Sequence, residues 1–150
     1  MNREKLNWWL TMIANLGVLG GLVFVGLEVR QNTSQLRADA SYSITASVNE
    51  LNAAIYSDSD LAELIFRGEA DLSSLTPLER TQFDMFEFSR LNISEYIQDL
   101  EAEGVADLNF RYVEYVVRDF QTKPGLRAFI REYQDVYVGS DELLARLLGS

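Results

Sequence analysis

The chain contains neither cysteine nor histidine. Without cysteine there is no disulfide, no thiol nucleophile and no thiolate metal site. Without histidine there is no His-based catalytic triad, no His-ligated zinc or di-iron centre and no His-ligated haem. Few enzyme classes survive both absences. Basic residues are scarce as well: 13 Lys and Arg stand against 23 Asp and Glu, a net charge of -10. Phosphate backbones attract surfaces of the opposite sign, so the balance argues against nucleic acid as a partner. Proline occurs only twice, at Pro77 and Pro124, so nothing in the first half of the chain forces a helix to end.

What is present in quantity is apolar sequence. From Leu6 to Leu27 run 22 residues without a charge, bounded by Lys5 and Glu28. As a helix this stretch would be roughly 30 Å long, the thickness of a bilayer's hydrocarbon core. Only Thr11 and Asn15 are distinctly polar within it, and apolar residues occur on every helical face. Trp8 and Trp9 stand near one end, where indole rings favour the lipid–water interface. A central core helix fits poorly, because a chain of 150 residues can hardly surround one so long and uniformly apolar. A cleaved signal fits poorly too, since its apolar region is shorter and its small-residue cleavage site lies closer than Ala38-Asp39-Ala40. A retained single-span anchor is the expected reading.

The span has texture. Gly17 and Gly21 form a G-x-x-x-G, Ala14 lies one turn earlier and Gly20 flanks them. Small residues at this spacing flatten one helix face, so a second helix can approach closely. Asn15 adds an amide that seeks a hydrogen-bond partner in lipid. Ala14, Asn15, Gly17, Gly20 and Gly21 are therefore the candidate helix-packing interface, and Trp8 and Trp9 the candidate interface anchors.

Beyond the span the pattern is helical throughout. Leu36, Ala40, Ile44, Val48, Leu51 and Ile55 form a stripe that needs a cover, with a possible break at Asn32-Thr33-Ser34. The "SDSD" at 57–60 caps a short helix ending at Gly68, and "EADLSSL" reads as a loop. Thr76-Pro77-Leu78-Glu79 is a capping box for a helix that stops at Gly104. Its apolar stripe is Phe83, Phe86, Ile93, Ile97 and Leu100, widened by Met85, Phe88 and Tyr96. Asp107 caps the next helix, Pro124 opens another that Gly139 closes, and Ser140 caps the last. Only "YVVRDF" has any strand character. The fold class expected is all-α, an N-terminal transmembrane helix continuing into a small helical bundle. Residues 1–5 form a tail, 6–29 the transmembrane helix and 30–150 a soluble acidic α-helical domain.

Catalytic material is limited to carboxylates. Glu95 and Asp99 share a helix face, with Glu101 and Glu103 following; these read as a solvated acidic surface. Arg90 sits within an apolar stripe, where its stem can pack while the guanidinium meets an acid or a carbonyl. "GVLGG" lacks the Lys-Ser/Thr of a phosphate loop, and no calcium-loop pattern occurs. No catalytic residue, cofactor or metal is assigned.

The segments "VGLEVRQNTSQLRADA", "SDSDLAEL", "LTPLERTQF", "EGVAD" and "PGLRAFIRE" together resemble a group of uncharacterised bacterial proteins. Those are small, helical and single-span, with a QxRQNT-like motif after the span; here it is Val29-Arg30-Gln31-Asn32-Thr33. The resemblance implies bacterial origin and inner-membrane attachment, with the helical domain in the cytoplasm, and it carries over no site. Arg3 and Lys5 depart from that group's pattern of few basic residues before the span; with Arg30 and Arg37 after it the basic residues number two on each side, and an anchor with its N-terminus inside would instead place the helical domain in the periplasm.

The function expected is non-enzymatic: a membrane-anchored protein acting by assembly, as a homo-oligomer or an accessory or scaffold subunit of a bacterial membrane complex. Its partners would be the lipid bilayer and other copies or other membrane-protein subunits. The alternatives are a membrane-tethered small-ligand receptor or carboxylate-using enzyme, which requires a pocket where acids and arginine converge among aromatics, and a membrane-shaping protein.

Overall fold

The computed structural model describes residues 3–105, 111–137 and 139–149. Among them the chain is all-α, with no strand: α1 (Arg3–Ser57), α2 (Ser59–Ala70), α3 (Pro77–Ala102), α4 (Tyr112–Thr122), α5 (Pro124–Tyr133) and α6 (Asp141–Leu148), with one 3₁₀ turn at Leu72–Ser74. A long N-terminal helix is thus followed by shorter ones. The chain divides into two units, residues 1–39 and 40–150.

The described part of the first unit is helix throughout, and every side chain from Arg3 to Asp39 except Met12 is exposed. It contains the one segment among the described residues that is long and apolar enough to cross a membrane, with a mean hydropathy of 2.0 and no part of it buried. Helix α1 continues through Asn32-Thr33-Ser34 without a break. Neither proline nor glycine interrupts that stretch, and the Thr33 hydroxyl donates to the Val29 carbonyl at 2.8 Å, satisfying itself within the helix.

The second unit is a bundle whose helices are short and strongly one-sided. Ala40 and Ile44 of α1 enter its core, Val48 packs partly against it, and Leu36 stays exposed. Asp58 starts α2 by accepting from the Asp60 and Leu61 amides at 2.9 and 3.1 Å. The capping box forms as expected, Thr76 accepting from the Glu79 amide while Glu79 accepts from the Thr76 amide. Gly104, at φ 66°, ends α3 in a Schellman turn, with Val105 N–H on the Leu100 carbonyl and Gly104 N–H on that of Glu101. Ser140 caps α6 by accepting from the Leu143 amide.

Three local expectations are corrected. Gly68 does not end α2; it is buried within the helix because α5 crosses there, and a Cβ on Gly125 would overlap the Gly68 carbonyl oxygen. The loop after Gly68 is mostly ordered as the last turn of α2 and the 3₁₀ turn. Helix α5 stops at Tyr133, well before Gly139, because the chain turns to place the Tyr137 hydroxyl on Glu95 at 2.8 Å. "YVVRDF" lies in α4, in the helix expected there, its β-branched residues notwithstanding. Asp107 lies outside the described residues, and α4 begins after Arg111 without a side-chain cap.

The core centres on Phe129 of α5, fully buried and edge-on to Phe83, Phe88 and Phe120 with centroids 5.1–6.1 Å apart. Leu91, Ile97, Val116, Leu126, Ile130, Leu143 and Leu147 close around it. Met85 and Tyr96, expected to widen the α3 stripe, are instead exposed. The inner face of α3 carries polar residues among its apolar ones: Glu87, Arg90 and Ser94.

Candidate functional site

Glu87 and Arg90 are one turn apart on α3, between Phe83 on one side and Leu91 and Ile97 on the other. Residues three apart on a helix share a face. The apolar residues that turn that face inward therefore carry both charges with them. Arg90 Nη1 donates to both Glu87 carboxylate oxygens at 3.0 and 3.3 Å. Its Nη2 donates to Asp119 at 3.0 Å. Asp119 is on the inner face of α4 beside Val116 and Phe120.

Lys123 lies between α4 and α5, one residue before Pro124, and its ammonium donates to Asp119 at 3.0 Å and to Glu69 of α2 at 2.8 Å. The close crossing of α2 and α5 makes this possible, since Gly125 lies directly against Gly68 and Glu69. Glu69 is also within 3.6 Å of Arg90. Three carboxylates and two cations thus form one network drawn from three helices and the α4–α5 junction.

Burial governs how these groups titrate. It pushes the Glu87 carboxyl up to about 7, a rise that Arg90 opposes and the neighbouring Glu69 reinforces. Desolvation works against the charge on Arg90, but Glu87, Tyr112, Asp119 and Glu69 outweigh it and hold its pKa above the ordinary arginine range. Lys123 follows the same logic, desolvation being outweighed by its hydrogen bonds to Glu69 and Asp119. Burial also raises the Tyr112 hydroxyl, with Arg90 opposing.

A cavity of about 110 Å³ adjoins this network. Val48, Leu51 and Ile55 of α1, Ile65 of α2 and Phe86 of α3 make its apolar wall. Glu69, Arg90 and Asp119 form the charged part of its lining, and Asn52, Tyr112 and Tyr115 complete it. By volume a space holding one water needs only ~10–15 Å³, and a cavity of ~150 Å³ admits benzene. There is room for several waters or a small molecule.

The sequence singled out Arg90 and left its guanidinium to meet an acid or a backbone carbonyl, and the structure pairs it with the acids Glu87 and Asp119. Glu87, Glu69, Asp119 and Lys123 were not foreseen. Glu87 and Asp119 break apolar helical faces, and that was the available signal: Glu87 with Arg90 at i, i+3 between Phe83 and Leu91, Asp119 between Val116 and Phe120.

The other carboxylates do different things. Glu95 accepts from the Tyr137 hydroxyl and the Ser140 amide, fixing the chain ahead of α6, whereas Asp99, Glu101 and Glu103 are exposed. Among the described residues no cluster of acidic side chains is arranged to hold a metal ion.

In the first unit, Ala14, Asn15, Gly17, Gly20 and Gly21 are all exposed, and a Cβ at any of the three glycines would meet nothing. Trp8 and Trp9 are exposed and edge-on to each other at 5.2 Å. No family model, curated protein or solved structure matches this chain. The reading of both regions therefore rests on their own chemistry.

Proposed function

We propose that this chain is a single-pass membrane protein that acts by assembly, its first helix anchored in a bacterial inner membrane and its acidic bundle displayed in the cytoplasm. One observation carries the reading: between Leu6 and Leu27 thirteen large apolar side chains are 42–65% exposed. Leaving that surface in water costs on the order of 1 kcal/mol per half-exposed side chain, a total comparable to the ~5–15 kcal/mol that stabilises a whole domain. Lipid removes the cost without asking for a protein cover. The indoles of Trp8 and Trp9 near one end suit the interface. The resemblance of the Val29–Thr33 region to bacterial single-span proteins supports the same location.

Assembly follows from the glycines. Ala14, Gly17 and Gly21 recur at helical spacing on one face, where the backbone is bare. A second helix, from another copy or another membrane subunit, can approach that face closely enough for dispersion contacts to hold the pair.

The test has two parts. Expressed in bacteria, the protein should remain in the membrane pellet after an alkaline carbonate wash; release into the supernatant rejects the anchor. Sedimentation equilibrium in detergent should show an assembly that Gly17→Ile with Gly21→Ile dissociates, and an unchanged mass rejects that face. Because the chain has no cysteine, a single Ser73→Cys introduced in the 3₁₀ turn reports sidedness. It should resist an impermeant maleimide in intact spheroplasts and react once they are opened.

A further inference from the structure

The cavity beside Arg90 combines an apolar wall with a charged floor, and its chemistry selects a ligand. The floor network holds three carboxylates (Glu69, Glu87, Asp119) against two cations, Arg90 and Lys123. Three carboxylates offer about twelve lone-pair sites, whereas one guanidinium and one ammonium bring about eight N–H donors. Acceptors are in excess. Both terminal nitrogens of Arg90 are already engaged by Glu87 and Asp119, so a carboxylate or phosphate ligand would find no free fork and would face the carboxylates of Glu69 and Asp119. A cationic donor would complete the set.

The rest of the lining agrees. Glu69 and Asp119 both reach the cavity, 15% and 6% exposed along their side chains, so an ammonium can meet their oxygens. Phe86, Tyr112 and Tyr115 supply rings, whose quadrupoles attract cations. One of them already holds a cation, with the Arg118 guanidinium 5.1 Å from the Tyr115 centroid. Arg118 itself is solvent-exposed and lies one turn from the equally exposed Glu114, so it leaves the balance on the floor unchanged. Leu51, Ile55 and Ile65 offer an apolar surface for the ligand's body.

We propose that this cavity binds a small organic amine, a primary or secondary ammonium on an apolar body of two or three carbons, smaller than a benzene ring. The ammonium meets Glu69 and Asp119, and the body lies against Leu51, Ile55 and Ile65. This inference is independent of the anchoring and assembly reading, because every residue it uses belongs to the bundle unit.

The experiment is isothermal titration of the full chain in zwitterionic lipid nanodiscs, with heats from empty discs subtracted. The probes are propylamine, 1-propanol and butyrate, which share a propyl body and differ in the charge of the head. Propylamine should bind saturably at one site per chain, 1-propanol at least tenfold more weakly and butyrate not at all. Leu51→Trp, which fills the cavity from a half-buried position on α1, should abolish propylamine binding while leaving thermal unfolding of the bundle in place. Asp119→Asn, if it folds, should weaken propylamine binding tenfold or more. Equal binding of propylamine and 1-propanol, tighter binding of butyrate, no saturable binding of propylamine, or undiminished binding by the Leu51→Trp chain would each overturn the proposal.

Discussion

Residues 3–39 and the bundle from residue 40 onward solve opposite problems with the same secondary structure. The first segment is a helix whose apolar residues occupy every face, so no rotation hides them and every side chain but Met12 is exposed. The bundle helices each have an apolar face and a polar one, and they bury Phe83, Phe120 and Phe129 completely. The contrast extends to polar groups. In the first segment Thr11 and Thr33 bond to their own helix, to the Asn7 and Val29 carbonyls. In the bundle, charges are carried into the core and satisfied by other helices, as Arg90 is by Asp119. A helix that faces lipid must be self-sufficient, whereas a helix in a bundle can depend on its neighbours.

That difference can be broken at its costliest point first. Arg90→Ala should destabilise the bundle by about 3–5 kcal/mol, because it leaves Glu87 and Asp119 buried without their shared cation. Thermal unfolding followed by circular dichroism should show a large fall in Tm, and an unchanged Tm would mean the network is not coupled to folding. Leucine truncation sharpens the comparison directly. Leu91→Ala, at a fully buried position, should cost about 2–5 kcal/mol, whereas Leu22→Ala, exposed in the first segment, should leave bundle unfolding within about 0.5 kcal/mol of the parent. Equal effects at the two positions would erase the distinction between the units.

Smaller effects probe the joints. Gly125→Ala forces α5 away from the Gly68 carbonyl and should cost about 1–3 kcal/mol in chemical denaturation. Glu87→Gln tests the buried acid by its pH dependence. Between its ordinary value of 4.5 and about 7, the folded chain retains a proton on Glu87 that the unfolded chain has released. The Glu87 contribution to stability is therefore fully present below 4.5, falls as pH rises through that window and is level above it. The variant should lack this contribution, so the stability difference between parent and Glu87→Gln should drift with pH in that interval and flatten on either side. A difference constant across the window would show that Glu87 is charged throughout. Smallest of all, Thr76→Ala removes one half of the capping box and should cost about 1 kcal/mol, with little change at any position in the first segment.

Much of the fold was legible because its signals are local. The capping box at Thr76–Glu79, the stop at Gly104 and the Ser140 cap all involve residues within one turn of one another, and each forms as the spacing predicts. Gly68 and Gly139 misled for the opposite reason. A glycine can end a helix or let another element approach, and Gly68 does the second because α5 arrives from more than fifty residues away. Tyr137 ends the α5 region early through a bond to Glu95 across a comparable separation. The candidate site was half visible: Arg90 was conspicuous on an apolar face, but its identity as the centre of a network required Asp119 and Lys123 from beyond α3.

The sequence alone determined the helical class, the uncharged run from Leu6 to Leu27 and the absence of cysteine and histidine chemistry, because composition and period are properties of the chain before it folds. Only the tertiary structure decided which charges are buried together, that Glu87, Arg90, Asp119, Glu69 and Lys123 form one network, and that a cavity lies beside it. The physical reason is the range of the interactions. Caps and apolar stripes act within a few residues of sequence, whereas a buried ion network exists only once helices distant in the chain have excluded the water that would otherwise solvate each charge by itself.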